Sequence, residues 1–87
     1  MRGVGNSAVI TFDSTHQAMA AEDALRDEGM NLEVVPPPAN LSAGCGLALR
    51  VRLEDVPAAI ETLNRRRAAY AAVHLLDREQ KATRKLG

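Results

Sequence analysis

The 87 residues carry 11 Lys and Arg against 11 Asp and Glu, so no net charge draws the chain toward nucleic acid or an anionic bilayer. One Phe, one Tyr and no Trp leave almost no aromatic surface on which bases would stack. A single cysteine excludes an internal disulfide and any paired-cysteine redox or zinc motif, and suits a reducing, cytoplasmic address.

The length sets one domain with a modest core, since a chain this short buries about 60–65% of its unfolded surface. No apolar run approaches the roughly 18 residues of a membrane span, and "MRGVGNSAVI" has no secretory apolar region. Neither a membrane nor a nucleic acid is therefore an expected partner.

"SAVITF" (Ser7 to Phe12) is β-branched and roughly alternating, which predicts a first strand. Ser14 with Gln17 three residues on has the form of a capping box and opens a helix from about Thr15 to Glu28. Ala18, Ala21 and Leu25 make its apolar stripe, with Met19 beside it, and Gly29 is the expected stop. "NLEVV" predicts a second strand, ended by Pro36, Pro37 and Pro38, which cannot continue a sheet.

A loop to Gly44 leads into "GLALRVRL", where Leu47, Leu49, Val51 and Leu53 alternate with Ala48, Arg50 and Arg52. That pattern predicts a third strand with one buried face. "EDVPAAIETLNRRR" predicts the second helix, with Asp55 as N-cap, Pro57 in the first turn and Val56, Ile60 and Leu63 facing inward. "YAAVHLL" predicts strand four. The polar, basic stretch from Asp77 to Gly87 is expected as a helical extension or frayed tail outside a domain of residues 1–76.

The order βαββαβ predicts an α+β, ferredoxin-like sandwich: a four-stranded antiparallel sheet in the order 4-1-3-2 with both helices on one face. In that topology the end of strand one, the start of helix one and the strand two–three loop share one edge. Cys45, between Gly44 and Gly46, is thereby expected beside Ser14, Thr15 and His16. Free N–H groups and the helix dipole there favour a thiolate. Populating a thiolate at neutral pH takes about 2 kcal/mol, whereas a helix terminus typically supplies about 0.3–1 kcal/mol. A cationic His16, the Thr15 hydroxyl and the loop amides would have to add the rest. The alternative is a packed, inert thiol, the fate of most free cysteines.

"ITFDSTHQAMAAEDALRDEG" followed by "VPPPANLSAGCGLALRV" resembles the selenium/sulfur carrier-like family of small proteins. The shared marks are Thr11, Phe12, Ser14, Thr15 and Ala18, the prolines 36–38, then Ser42, Cys45, Gly46, Ala48, Leu49 and Arg50. The resemblance spans about Val9 to Leu76. It departs at Ala39-Asn40, where members often carry a basic residue. It implies that Cys45 carries a terminal sulfur or selenium from a donor such as a cysteine desulfurase to an acceptor protein. His16 would then steady the thiolate, with Ser14, Thr15, Ser42, Gly44, Gly46 and Arg50 as binding residues. No cofactor, metal or turnover of its own is expected. In the alternative the chain is a regulatory module that binds a small molecule or protein, with Cys45 structural. A weaker third option is a redox sensor in which Cys45 oxidises or pairs between protomers.

Other constellations fall away. "GVGNSA" precedes the first strand and lacks a third glycine, so it is no dinucleotide fingerprint. Asp13, Ser14 and His16 are too close in sequence to form a hydrolytic relay. His74 shares a face with Leu76, away from Cys45, and is expected to be satisfied or solvated. Arg50 and Arg52 point to the helix-free face with Glu33, as a solvated surface or as a face for docking or homo-oligomer formation. Arg65, Arg66 and Arg67 suit the end of helix two.

Overall fold

Strand pairing and helix capping produce the element order β1 (Ser7–Thr11), α1 (Thr15–Asp27), β2 (Glu33–Val35), β3 (Ala48–Arg52), a 3-10 turn (Leu53–Asp55), α2 (Val56–Arg65), β4 (Ala72–Leu76) and β5 (Ala82–Lys85). The computed structural model describes residues 6–41 and 45–87. The sheet runs β2-β3-β1-β4-β5, and every neighbouring pair is antiparallel. Five strands replace the expected four.

The fifth strand comes from the stretch expected to be helical or frayed. The Asp77 carboxylate accepts the N–H groups of Glu79 and Lys81, both at 2.9 Å. The Asp77 and Gln80 amides donate to the carbonyls of Lys81 and Asp77, also at 2.9 Å. Gln80 takes a left-handed conformation (φ 65°) and turns the chain back onto β4. Ala82 is the only buried residue of β5; Thr83, Arg84 and Lys85 are exposed. Hydropathy therefore carries no strand signal here, and the charges suit an edge.

Both helices lie on one face. Ala8, Ile10, Leu49, Val51 and Val73 of the sheet pack with Ala18, Ala21, Leu25, Ala59 and Leu63 of the helices. Alanines along α1 let it approach the sheet closely, and Phe12 is the largest fully buried side chain. Met19, beside the stripe, remains 56% exposed.

Ser14 caps α1 as expected: its Oγ accepts the Gln17 N–H at 3.2 Å. The Gln17 side chain returns to the Asp13 amide (3.1 Å) instead of to Ser14 itself. Asp55 occupies the N-cap position of α2 but makes no capping bond. The preceding 3-10 turn leaves its backbone helical (φ −91°, ψ −4°), whereas a side-chain cap favours an extended residue. Its carboxylate instead meets Arg52 at 3.4 Å.

Both helices stop in the same way. Gly29 is left-handed (φ 82°), and the Met30 amide donates back to the Leu25 carbonyl at 3.1 Å. After α2 the left-handed residue is Arg67 (φ 58°), with Ala68 bonded to the Leu63 carbonyl at 2.9 Å. Arg66 then reaches Asp27 and Glu28 at 2.7 Å each, and Arg65 reaches Glu28 at 3.4 Å. Two of the three consecutive arginines thus clip the C-terminal ends of the helices together.

Hydrogen bonding from Arg66, then Arg65, holds the Glu28 carboxyl below its ordinary value of 4.5. A carboxyl lowered by folding contributes stability above its ordinary value and loses it as pH falls through the lowered one. The melting temperature of wild type is expected to exceed that of Glu28→Gln at neutral pH, with the gap closing on acidification below about pH 4 and in high salt. A gap that persisted at about pH 2 would tie the effect to packing instead.

Candidate functional site

The loop between β2 and β3 is where the structure departs furthest from expectation. Val35 pairs with Ala48, so the chain leaves the sheet and returns at adjacent positions. Between them it crosses the face without helices. Asn40 donates its Nδ2 to the Ala82 carbonyl at 2.7 Å and accepts the Ala82 amide on Oδ1 at 3.1 Å. The loop beginning at one edge strand, β2, is therefore fastened to the other, β5. The Pro36–Asn40 strap explains why Val9, Ala48 and Leu76 are buried although no helix covers them.

Beyond Asn40 the loop reaches the helix side. Cys45 is 7% exposed and belongs to the main core cluster. Its Sγ accepts the N–H of Leu47 at 3.3 Å and lies 3.7 Å from the Thr15 Oγ1. Thr15 is the first residue of α1, so the expected meeting of the loop and the helix N-terminus is present. In the first turn Gln17 is capped by Ser14 Oγ, and the Ala18 amide donates to the Ser14 carbonyl at 3.1 Å. The amides of Thr15 and His16 have no acceptor among the described residues, as the start of a helix requires.

The remaining candidates divide. Ser14 acts on its own helix as the cap. His16 is exposed and makes no hydrogen bond to Cys45 among the described residues. Gly46 is exposed, and a Cβ added there would meet nothing within 4 Å. Ser42 and Gly44 lie outside the described residues. Arg50 belongs elsewhere: it lies on the far face of β3, paired with Glu33 and with the Gln80 side chain. The sheet separates it from Cys45, because Leu49 and Val51 point to the core that holds the thiol.

His74 corrects the expectation of a satisfied or solvated ring. It pairs with Val9 on one side and Lys85 on the other, and its Nδ1 is buried without a partner among the described residues. The extra strand β5 covers what a four-stranded sheet would leave at its edge. Among the described residues, no three His, Cys, Asp or Glu side chains cluster as metal ligands, and no helix is long and apolar enough to cross a membrane.

Comparison with known family models covers the segment that holds this thiol. The model described as "Putative Se/S carrier protein-like" matches residues 7–75. The chain belongs to this Se/S carrier-like family. The match runs from β1 almost to the end of β4 and leaves out β5, so the strap lies inside the family region while its anchor Ala82 lies outside. No curated protein and no solved structure matches the chain.

The strap was missed because Asn40 gives no local sign of its partner 42 residues away. Asn40→Ala leaves both main-chain groups of Ala82 without their partner. The expected result is a loss of about 1–2 kcal/mol in urea unfolding and faster amide hydrogen exchange at Ala82. Unchanged exchange at Ala82 would mean that the strap is held by its prolines alone.

Proposed function

We propose that this member of the family carries sulfur or selenium as a persulfide or selenopersulfide on Cys45. One observation carries the reading: the Leu47 amide donates to Sγ, and the Thr15 hydroxyl at the start of α1 lies 3.7 Å from the same sulfur. In this reading Cys45 is the nucleophile, Leu47 and Thr15 hold its sulfur, and His16 follows Thr15 in the first turn of the same helix. The frame is a ferredoxin-like one extended by β5, working in a reducing, cytoplasmic compartment.

The chemistry balances without an outside oxidant. The Cys45 thiolate attacks the terminal sulfur of a donor persulfide, such as that of a cysteine desulfurase. A new S–S bond forms to Cys45, the donor's S–S bond breaks, and the donor leaves as its thiolate. An acceptor nucleophile then takes the terminal sulfur and frees Cys45. A second cysteine would discharge the adduct as a disulfide, and the sequence has none. Burial at 7% exposure shields the adduct from stray thiols, and it requires the loop to open for each transfer.

The same burial favours a second reading, in which Cys45 is core packing and the chain is a binding module. Loading separates the two. After incubation with a cysteine desulfurase and free cysteine, wild type is expected to gain the mass of one sulfur atom on Cys45. Dithiothreitol removes it, and Cys45→Ser never gains it. If an established acceptor is loaded in the same tube while this chain stays unmodified, the carrier reading fails and the binding module stands.

A further inference from the structure

A half-open cavity of 320 Å³, within the range of small-molecule pockets, lies beside the strap and is lined by Pro36–Ala39 and by Val9, Val35 and Leu76. At about 30 Å³ per water-sized group it has room for on the order of ten non-hydrogen atoms. Arg50 and Gln80 are the only polar side chains in its described lining. Three consecutive prolines make one wall stiff before any ligand arrives, which lowers the ordering cost of binding.

Arg50 is shared between two sides. One guanidinium nitrogen, Nη2, is held by Glu33, which is not part of the cavity lining; the other, Nη1, takes the Gln80 amide oxygen at 2.5 Å. Gln80 is exposed, neutral and left-handed in the β4–β5 turn. A carboxylate is a stronger acceptor for a guanidinium than an amide oxygen. Replacing Gln80 Oε1 on Nη1 would leave the Glu33 pair intact and put the rest of the ligand against Val9, Val35, Leu76 and the prolines.

We infer that this cavity is a binding site for a small organic acid with an aliphatic body, the Gln80 amide occupying the place of its carboxylate when the site is empty. The site lies across the sheet from Cys45 and does not depend on any thiol chemistry.

Hexanoate and its uncharged counterpart hexanamide are suitable probes, titrated into the full chain and followed by NMR at the methyl groups of Val9, Val35 and Leu76. Saturable shifts are expected at these residues with a dissociation constant of about 1 mM or below, hexanoate binding about tenfold more tightly than hexanamide. Gln80→Gly removes the competing amide and suits the positive φ of that position. It is expected to tighten hexanoate at least about threefold while leaving hexanamide unchanged. Arg50→Gln is expected to erase the preference for the acid. Three results overturn the proposal: no saturation by about 10 mM, shifts centred away from the cavity, or an acid preference indifferent to both variants. If Arg50→Gln does not fold, Gln80→Gly decides alone.

Discussion

The β2–β3 connection has to satisfy two anchors at once, and most of what is particular to this protein follows from that constraint. Antiparallel strands are commonly joined by as few as two residues. Val35 and Ala48 are paired neighbours, yet residues 36–47 separate them. The added length reaches across the sheet to Ala82 through Asn40, then returns to the helix side to set Cys45 against Thr15. The first anchor ties the sheet's two edge strands together and buries a face that the helices leave uncovered. The second puts the only thiol at the start of α1.

The two faces therefore differ in chemistry. On the helix side the core is alanine-rich, closely packed, and holds Cys45 among its members. On the other side a smaller cluster of Val9, Ala48 and Leu76 sits beneath stiff prolines, with Arg50 between Glu33 and Gln80. The same connection runs through both, and Cys45 lies five residues after Asn40. Cys45 is both buried and hydrogen-bonded, its Sγ accepting the Leu47 amide and lying 3.7 Å from the Thr15 hydroxyl.

Local patterns in the sequence were enough to read the two helices and the strands from β1 to β4. Alternation in Leu47–Leu53 exposes one face, Ser14 and Gln17 mark a helix start, and Gly29 marks its end. The thiol's neighbour followed as well, since pairing β1 with β3 fixes which loop meets the N-terminus of α1. What was illegible has no local signature. Asn40 bonds a backbone 42 residues on, β5 is polar because it is an edge, and Gln80 gains its role only once the β4–β5 turn brings it to Arg50. Arg50 itself sits in the family's cysteine motif, but the twofold alternation of a strand sends it to the other face.

In the proposed carrier reading, Cys45 is packed in a position from which the loop releases it without unfolding the domain. Iodoacetamide labelling of Cys45 in the native protein, followed by mass spectrometry at increasing urea, separates such release from global unfolding. Labelling is expected to be faster than global unfolding allows, and nearly independent of urea below the unfolding transition, as local opening requires. Labelling that proceeds only at the rate of global unfolding, with its full urea dependence, would make Cys45 a fixed part of the core and contradict a carrier role.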